Sequence, residues 1–164
     1  FREGNLIVDV VEEKQLRLKD IMYRDHLIRI DKDIMWDEAI RLASVPLLKT
    51  NIITENYINE MIGLVQDYGP YIVIKNRIAI AHAKTEAGAN ALGTTLLINK
   101  KNIQFEDDLN IHYLFVISSS NPKEHLQILK DISMLASDDI DLNTLLDKNA
   151  DEVMEFIKKM VNRI

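Results

Sequence analysis

Four histidines, His26, His82, His112 and His125, are the side chains of this 164-residue sequence best suited to chemistry near neutral pH. Imidazole can act there as nucleophile, proton carrier or metal ligand, because its ordinary pKa lies close to the working range. Other chemistries find little material. The chain has no cysteine, so thiolate nucleophiles, disulfides and thiolate metal sites are excluded. It has five glycines in all, and neither a GxGxxG nor a Walker A pattern cradles a phosphate. No GxSxG elbow presents a serine. No two histidines sit four residues apart and none falls in a recognised zinc pattern, so a metal centre would have to be assembled from distant parts of the chain.

His82 closes the apolar run Ile78-Ala79-Ile80-Ala81 and precedes the small, polar stretch from Ala83 to Asn90. A histidine at the end of a buried strand, flanked by alanines, stands on a rigid base with little steric cover. It is either a presented reactive group or a partly buried ring bonded to a loop carbonyl. His125 lies on the apolar face of a helix, inside its first turn. The partial positive charge of a helix start disfavours imidazolium and favours a nearby anion by about 0.3–1 kcal/mol. A neutral imidazole there could donate one N–H to a phosphate, or be a core histidine satisfied by the backbone. His112 alternates with apolar residues and reads as a structural strand residue. His26, in the charged segment Tyr23-Arg24-Asp25-His26, reads as solvated, as does the acidic run Glu106-Asp107-Asp108.

The elements that must position these residues follow from periodicity. Trp36, Ala39, Ile40, Ala43 and Leu47 form one apolar stripe at helical spacing, with Asp33 or Asp37 at its start and Pro46 and Thr50 near its end. Thr54 opens a second helix with Ile58, Met61, Ile62 and Val65 inward, and Tyr68-Gly69-Pro70 breaks it. Strands are predicted at 71–74, 78–81, 94–98 and 112–118, with 99–110 as a polar connection anchored by Phe105. Asn121-Pro122-Lys123-Glu124 places a capping residue, a first-turn proline and an acid ahead of a third helix carrying His125, Ile128, Leu129, Ile132 and Leu135. A last helix runs from about Asp151 to Val161. Helices before and after strands predict an α/β sandwich around a mixed sheet, in one domain.

Composition limits the partners. The formal net charge is −6, which argues against direct contact with nucleic acid. The apolar runs Ile78–Ala81 and Tyr113–Ile117 are far too short to span a bilayer, so no membrane insertion is expected. No basic stretch followed by an apolar run opens the sequence, and the lack of cysteine suits the cytoplasm. The first residue is Phe1 and the first methionine is Met22, which points to a piece of a longer chain.

Three blocks, Tyr57-Ile58-Asn59-Glu60-Met61-Ile62, Gly69-Pro70-Tyr71-Ile72-Val73-Ile74 and Ile78-Ala79-Ile80-Ala81-His82-Ala83, resemble the mannitol/fructose-type enzyme IIA superfamily of the sugar phosphotransferase system. The Gly-Pro-Tyr block is most similar to its ascorbate-type branch and to the related domains of transcription regulators and antiterminators. A strand after Gly93, Phe105 before the acidic loop, and Asn121 to Leu126 keep the order. The resemblance extends over about residues 18–163, so residues 1–17 are taken as a lead-in or linker and 18–164 as the phosphoryl-carrier domain. It implies an α/β fold of a mixed sheet between helices, with His82 accepting a phosphoryl group from the carrier HPr for an enzyme IIB, and His125 helping to hold it. Such in-line transfer needs positioning and charge stabilisation, so no metal or cofactor is expected. Three positions depart from the family pattern: Ala81 replaces a usual proline, Asn76-Arg77 replaces a small turn-forming pair, and no arginine stands near Leu64. Arg77 is a candidate phosphate partner or a surface residue. The leader and the departures favour a regulatory domain, coupled to upstream domains of the same chain, over a transporter subunit of unread sugar specificity. A degenerate protein-binding module is the reading from another class.

Overall fold

The structure, a computed structural model, describes residues 16–74, 77–105, 109–137 and 142–161. Within the lead-in, the apolar stretch Leu6–Val11 is expected from sequence to form a short strand or helix of its own, and it lies outside these residues. In chain order the elements are α1 (Leu18–Ile21), β1 (Leu27–Ile30), β2 (Ile34–Met35), α2 (Trp36–Lys49) and α3 (Glu55–Tyr68). Then follow β3 (Val73–Ile74), β4 (Ile78–Ala81), β5 (Gly93–Gln104), β6 (Ile111–Ser118), α4 (Pro122–Leu135) and α5 (Ala150–Val161). The strands form one mixed sheet in the order β1-β5-β6-β4-β3, with β2 also paired to β5. β4 and β6 run parallel, β1 and β2 are parallel to β5, and β5–β6 and β3–β4 are antiparallel.

Side chains alternate across a strand, so each central strand feeds two apolar layers. Ile78, Ile80, Leu96, Tyr113, Phe115 and Ile117 pack against α1, α4 and α5. Ala79, Ala81, Leu97, Leu114 and Val116 pack against α2 and α3. Every residue of β4 and β6 is buried, which is why both read as continuous apolar runs. The result is the expected α/β sandwich, and no helix among the described residues is long and apolar enough to cross a membrane.

Three readings need correction. The polar stretch after Ile98 is not a connection up to residue 104: β5 continues to Gln104 through an irregularity between Ile98 and Ile103. Asn99, fully buried, donates to the Lys32 carbonyl at 2.7 Å and accepts from the Lys32 N–H at 3.3 Å, and Asn102 bridges Leu109 and Ile111. Two asparagine side chains thus complete the ladder where backbone pairing is interrupted. β1 and β2 were not foreseen, because β1 carries Arg29 and β2 is only two residues long; pairing to β5 defines both. His26 is buried, with Nδ1 2.9 Å from the Thr94 carbonyl and Tyr23 edge-on to its ring. A 3-10 turn over Arg24–His26 turns the ring inward from its charged neighbours. At α2, Met35 is the N-cap residue and Asp37 stands in the first turn, where its negative charge suits the helix start; its carboxylate accepts from the Glu38 N–H at 2.9 Å.

Beyond the sheet, one carboxylate joins distant pieces. Asp131 of α4 is fully buried and receives Arg17 Nε and Nη2, the Leu18 N–H and Gln127 Nε2 at 2.7–3.1 Å. Arg17 also donates to the last carbonyl of α5, on Val161, at 2.7 Å. Asp131→Ala removes the anion, leaves the guanidinium with the Val161 carbonyl alone and strips the Leu18 N–H of its acceptor, an expected loss of about 2–4 kcal/mol. In the exposed pair Arg24–Asp151, the change Asp151→Ala is expected to lose less than about 1 kcal/mol. Urea unfolding of both variants checks the contrast.

Candidate functional site

The parallel pairing of β4 with β6 decides where the candidate residues meet. Their ladder runs from Ile78↔Tyr113 to Ala81↔Val116, so both strands leave the sheet at the same end. His82 is the next residue after β4. Ser119-Ser120 follows β6 and leads into α4, whose first turn ends at His125. The two rings lie with centroids 6.2 Å apart and planes inclined by 35°. The structure therefore brings His82 and His125 together. His112 stands near the other end of β6, with Nδ1 3.0 Å from the Asn99 carbonyl, and His26 is bonded elsewhere in the fold. Arg77 precedes β4, about 16 Å along the strand from His82. Its guanidinium donates to Asn143 at 2.8 Å, so it is a surface residue away from the two rings.

His82 is half-buried, and its Nδ1 is buried with no hydrogen-bond partner. Burial lowers the His82 pKa below the usual histidine value, and positive charge on His125 lowers it further. The Ile80 carbonyl works in the other direction but is not placed to bond Nδ1. The ring is thereby held neutral, which is the nucleophilic form.

At His125 the helix start is already capped. Asn121 Oδ1 accepts the N–H groups of Lys123 and Glu124 at 3.0 and 3.1 Å, and Glu124 accepts that of Ser120 at 3.1 Å. Pro122 has no N–H. These groups are engaged, so an anion beside His82 would meet the helix field and the His125 ring. Ser119 Oγ donates to the Asn121 carbonyl at 2.7 Å and lies 3.3 Å from His125 Nδ1, which orients that ring.

The segment after His82 is bonded to the first turn of α3. Thr54 caps α3 and donates to the Gly88 carbonyl at 3.1 Å, and Asn56 donates to the Ala87 carbonyl at 2.7 Å. The buried Tyr57 hydroxyl accepts from the Ala83 N–H at 3.0 Å and lies 2.7 Å from the Ile117 carbonyl and 3.1 Å from that of Ala83. Burial pushes the Tyr57 phenol up to about 12, so it stays protonated at neutral pH. Thr85 donates to the Ser119 carbonyl at 2.9 Å, a second tie between the two loops. None of Thr54, Asn56, Tyr57, Thr85 and Ser119 was singled out as a site residue in the sequence. Tyr57 gave one signal: it lies on the apolar stripe of α3, where a buried hydroxyl must find a partner. Among the described residues no group of three or more His, Asp and Glu side chains could hold a metal ion.

The chain has relatives of known family. Residues 22–160 match the family described as phosphoenolpyruvate-dependent sugar phosphotransferase system, EIIA 2. The mannitol-specific cryptic phosphotransferase enzyme IIA component of Escherichia coli (strain K12) is 28% identical over 138 residues, covering 84% of this chain and 94% of that protein. A solution structure of the E. coli mannitol-specific cryptic enzyme IIA has a TM-score of 0.76 at 28% identity, covering 88% of this chain and 99% of that one. The ascorbate-specific EIIA component of Salmonella choleraesuis is 24% identical over 149 residues, covering 88% of this chain and 97% of that protein. In fold, the chain is also similar to E. coli mannitol enzyme IIA in a complex with phosphorylated enzyme IIB, with a TM-score of 0.69 and 20% identity over 82% of this chain and 95% of that one.

Two outcomes follow from this geometry. The folded His82 binds a proton less readily than the unfolded chain. Its contribution to stability is therefore full above about pH 6.5 and is lost as the pH falls below that value. An NMR titration of the His82 ring should have its midpoint below 6.5; a midpoint at or above it contradicts the burial argument. Gly88 has φ +128°, and a Cβ there would collide with Thr54 Oγ1. Gly88→Ala should lower stability by about 1–3 kcal/mol. In contrast, Gly63→Ala, in open space on α3, should raise it by about 0.5–1 kcal/mol. Thermal unfolding distinguishes the two.

Proposed function

Because this chain belongs to the phosphoenolpyruvate-dependent sugar phosphotransferase system EIIA 2 family, we propose that it is a phosphohistidine carrier whose reactive residue is His82. The observation that carries the reading is the half-buried neutral imidazole of His82, with His125 6.2 Å away across the ends of two parallel strands. In this reading the neutral ring carries its proton on the buried Nδ1, which leaves the lone pair on Nε2 free to attack. Nε2 attacks phosphorus in phospho-HPr as the phosphorus–nitrogen bond to the donor breaks, and the donor nitrogen recovers its electron pair. The same exchange then runs onward to an acceptor histidine or cysteine. His125 holds the phosphoryl oxygens during both transfers, and positioning and electrostatics supply the catalysis. The partners are HPr on one side and an enzyme IIB protein on the other, in the cytoplasm, and the cargo is the phosphoryl group itself. The IIB assignment draws on the fold it shares with an enzyme IIA in complex with phosphorylated IIB.

A second reading makes the same His82 chemistry a signal: the domain regulates upstream domains of its own chain, as in transcription regulators. Ala81 and the absence of an arginine near Leu64 favour it, because a sensor needs two states with different affinities and no fast onward transfer. A phosphate adds about −1.5 to −2 charges, sufficient to change docking.

Incubation with enzyme I, HPr and labelled phosphoenolpyruvate should add one acid-labile phosphate per chain. His82→Ala should abolish the label, and His125→Ala should slow transfer by about 10–100-fold. Normal labelling of His82→Ala would remove the assignment, whereas an unlabelled wild type would support the protein-binding module. Rapid chase of the label to a separate IIB identifies the transporter relay; a label that persists identifies the regulator.

A further inference from the structure

We infer that Tyr57 is the positioning residue of this site, a single buried hydroxyl that fixes the segment carrying His82 against the segment leading to His125. The inference rests on the phosphohistidine reading and goes beyond it, because the hydrogen bonds of the Tyr57 hydroxyl go to the backbone of Ala83 and Ile117.

Backbone pairing holds β4 to β6 as far as Ala81↔Val116. His82 lies one residue beyond the last pair. Past that point the Tyr57 oxygen takes over, accepting from the N–H of Ala83 and donating to the carbonyl of Ile117, one residue beyond Val116. A hydroxyl has one proton, and the 2.7 Å contact to Ile117 claims it ahead of the 3.1 Å contact to Ala83. One oxygen thus bridges both exits from the sheet, one residue after His82 on one side and two residues before Ser119 on the other. Tyr57 is itself rigid: it is 1% exposed, in the first turn of a helix whose cap residue Thr54 and neighbour Asn56 hold the far end of the same segment. Its phenol is never ionised in the working range, so the bridge does not change with pH.

A core tyrosine with a merely structural role would have other consequences. Phosphoryl transfer requires alignment of the attacking nitrogen, and a misplacement of about 1 Å from a change outside the chemistry can slow a reaction by roughly 100-fold. The surface met by the phosphoryl donor does not include the buried hydroxyl. Removing it should therefore act on kcat and spare KM.

The test is Tyr57→Phe, which keeps the ring and deletes the oxygen, beside Tyr113→Phe as a matched control. Tyr113 is also buried and its hydroxyl bonds a backbone carbonyl, that of Leu142, in the opposite apolar layer. With phospho-HPr as donor, Tyr57→Phe should lower kcat by about 10–100-fold with KM within about twofold, while Tyr113→Phe leaves both unchanged. Hydrogen exchange should show the Ala83 amide of Tyr57→Phe exchanging at least about tenfold faster, with the Ile80 amide unaffected. A kcat within twofold of wild type, an unchanged Ala83 amide, or equal slowing in the two variants would overturn the role of Tyr57. A wild-type protein that takes no label would overturn the carrier reading and this role together, and is distinguishable because Tyr57→Phe is then irrelevant to the result.

Discussion

Parallel pairing between β4 and β6 is the constraint on which the rest of the molecule depends. Two parallel strands must end at the same edge of a sheet, and whatever each chain does next begins there. Here one chain turns out through His82 and the other turns through Ser119 into α4. The strands are central and buried on both faces, so the end of the sheet is a fixed platform. Reversing either strand would leave the same residues in the same sequence and put the histidines at opposite ends. The site is a consequence of topology first and of side-chain chemistry second.

Given that platform, the polar bonds around it have a clear division of labour. Asn121 and Glu124 consume the donors at the start of α4, and Ser119 orients His125. Thr54, Asn56 and Tyr57 hold the segment that His82 opens. Among the described residues, only His82 keeps a buried side-chain nitrogen without a partner. An unpaired buried polar atom is unfavourable by about 1–3 kcal/mol, and the proposed carrier role gives a reason for its retention in an otherwise satisfied neighbourhood. Stability is supplied elsewhere, by the two apolar layers and by the buried Asp131 carboxylate that joins Arg17 to α4.

How much of this was legible follows from the range of each signal. Helix starts are local, and both Thr54 and the Asn121-Pro122 cap were read from a few adjacent residues and found in place. Strands β4 and β6 announced themselves as unbroken apolar runs. The second half of β5 did not, because its polar residues are satisfied by partners such as Lys32, 67 positions away from Asn99. His26 misled for a related reason: charged neighbours in sequence concealed a ring turned inward onto Thr94. The proximity of His82 and His125 was expected from the resemblance to a family, and only the β4–β6 register explains it. Tyr57 acts through contacts 26 and 60 residues distant, which no pattern of spacing encodes.

The central claim is that burial of Nδ1 leaves Nε2 of His82 as the atom that takes the phosphoryl group. Phosphorus–nitrogen coupling, measured by NMR on nitrogen-labelled protein after phosphorylation through HPr, reports the bonded atom directly. The account predicts a single coupling to Nε2 of His82. Coupling to Nδ1 of His82, or to a ring nitrogen of His125, would contradict it.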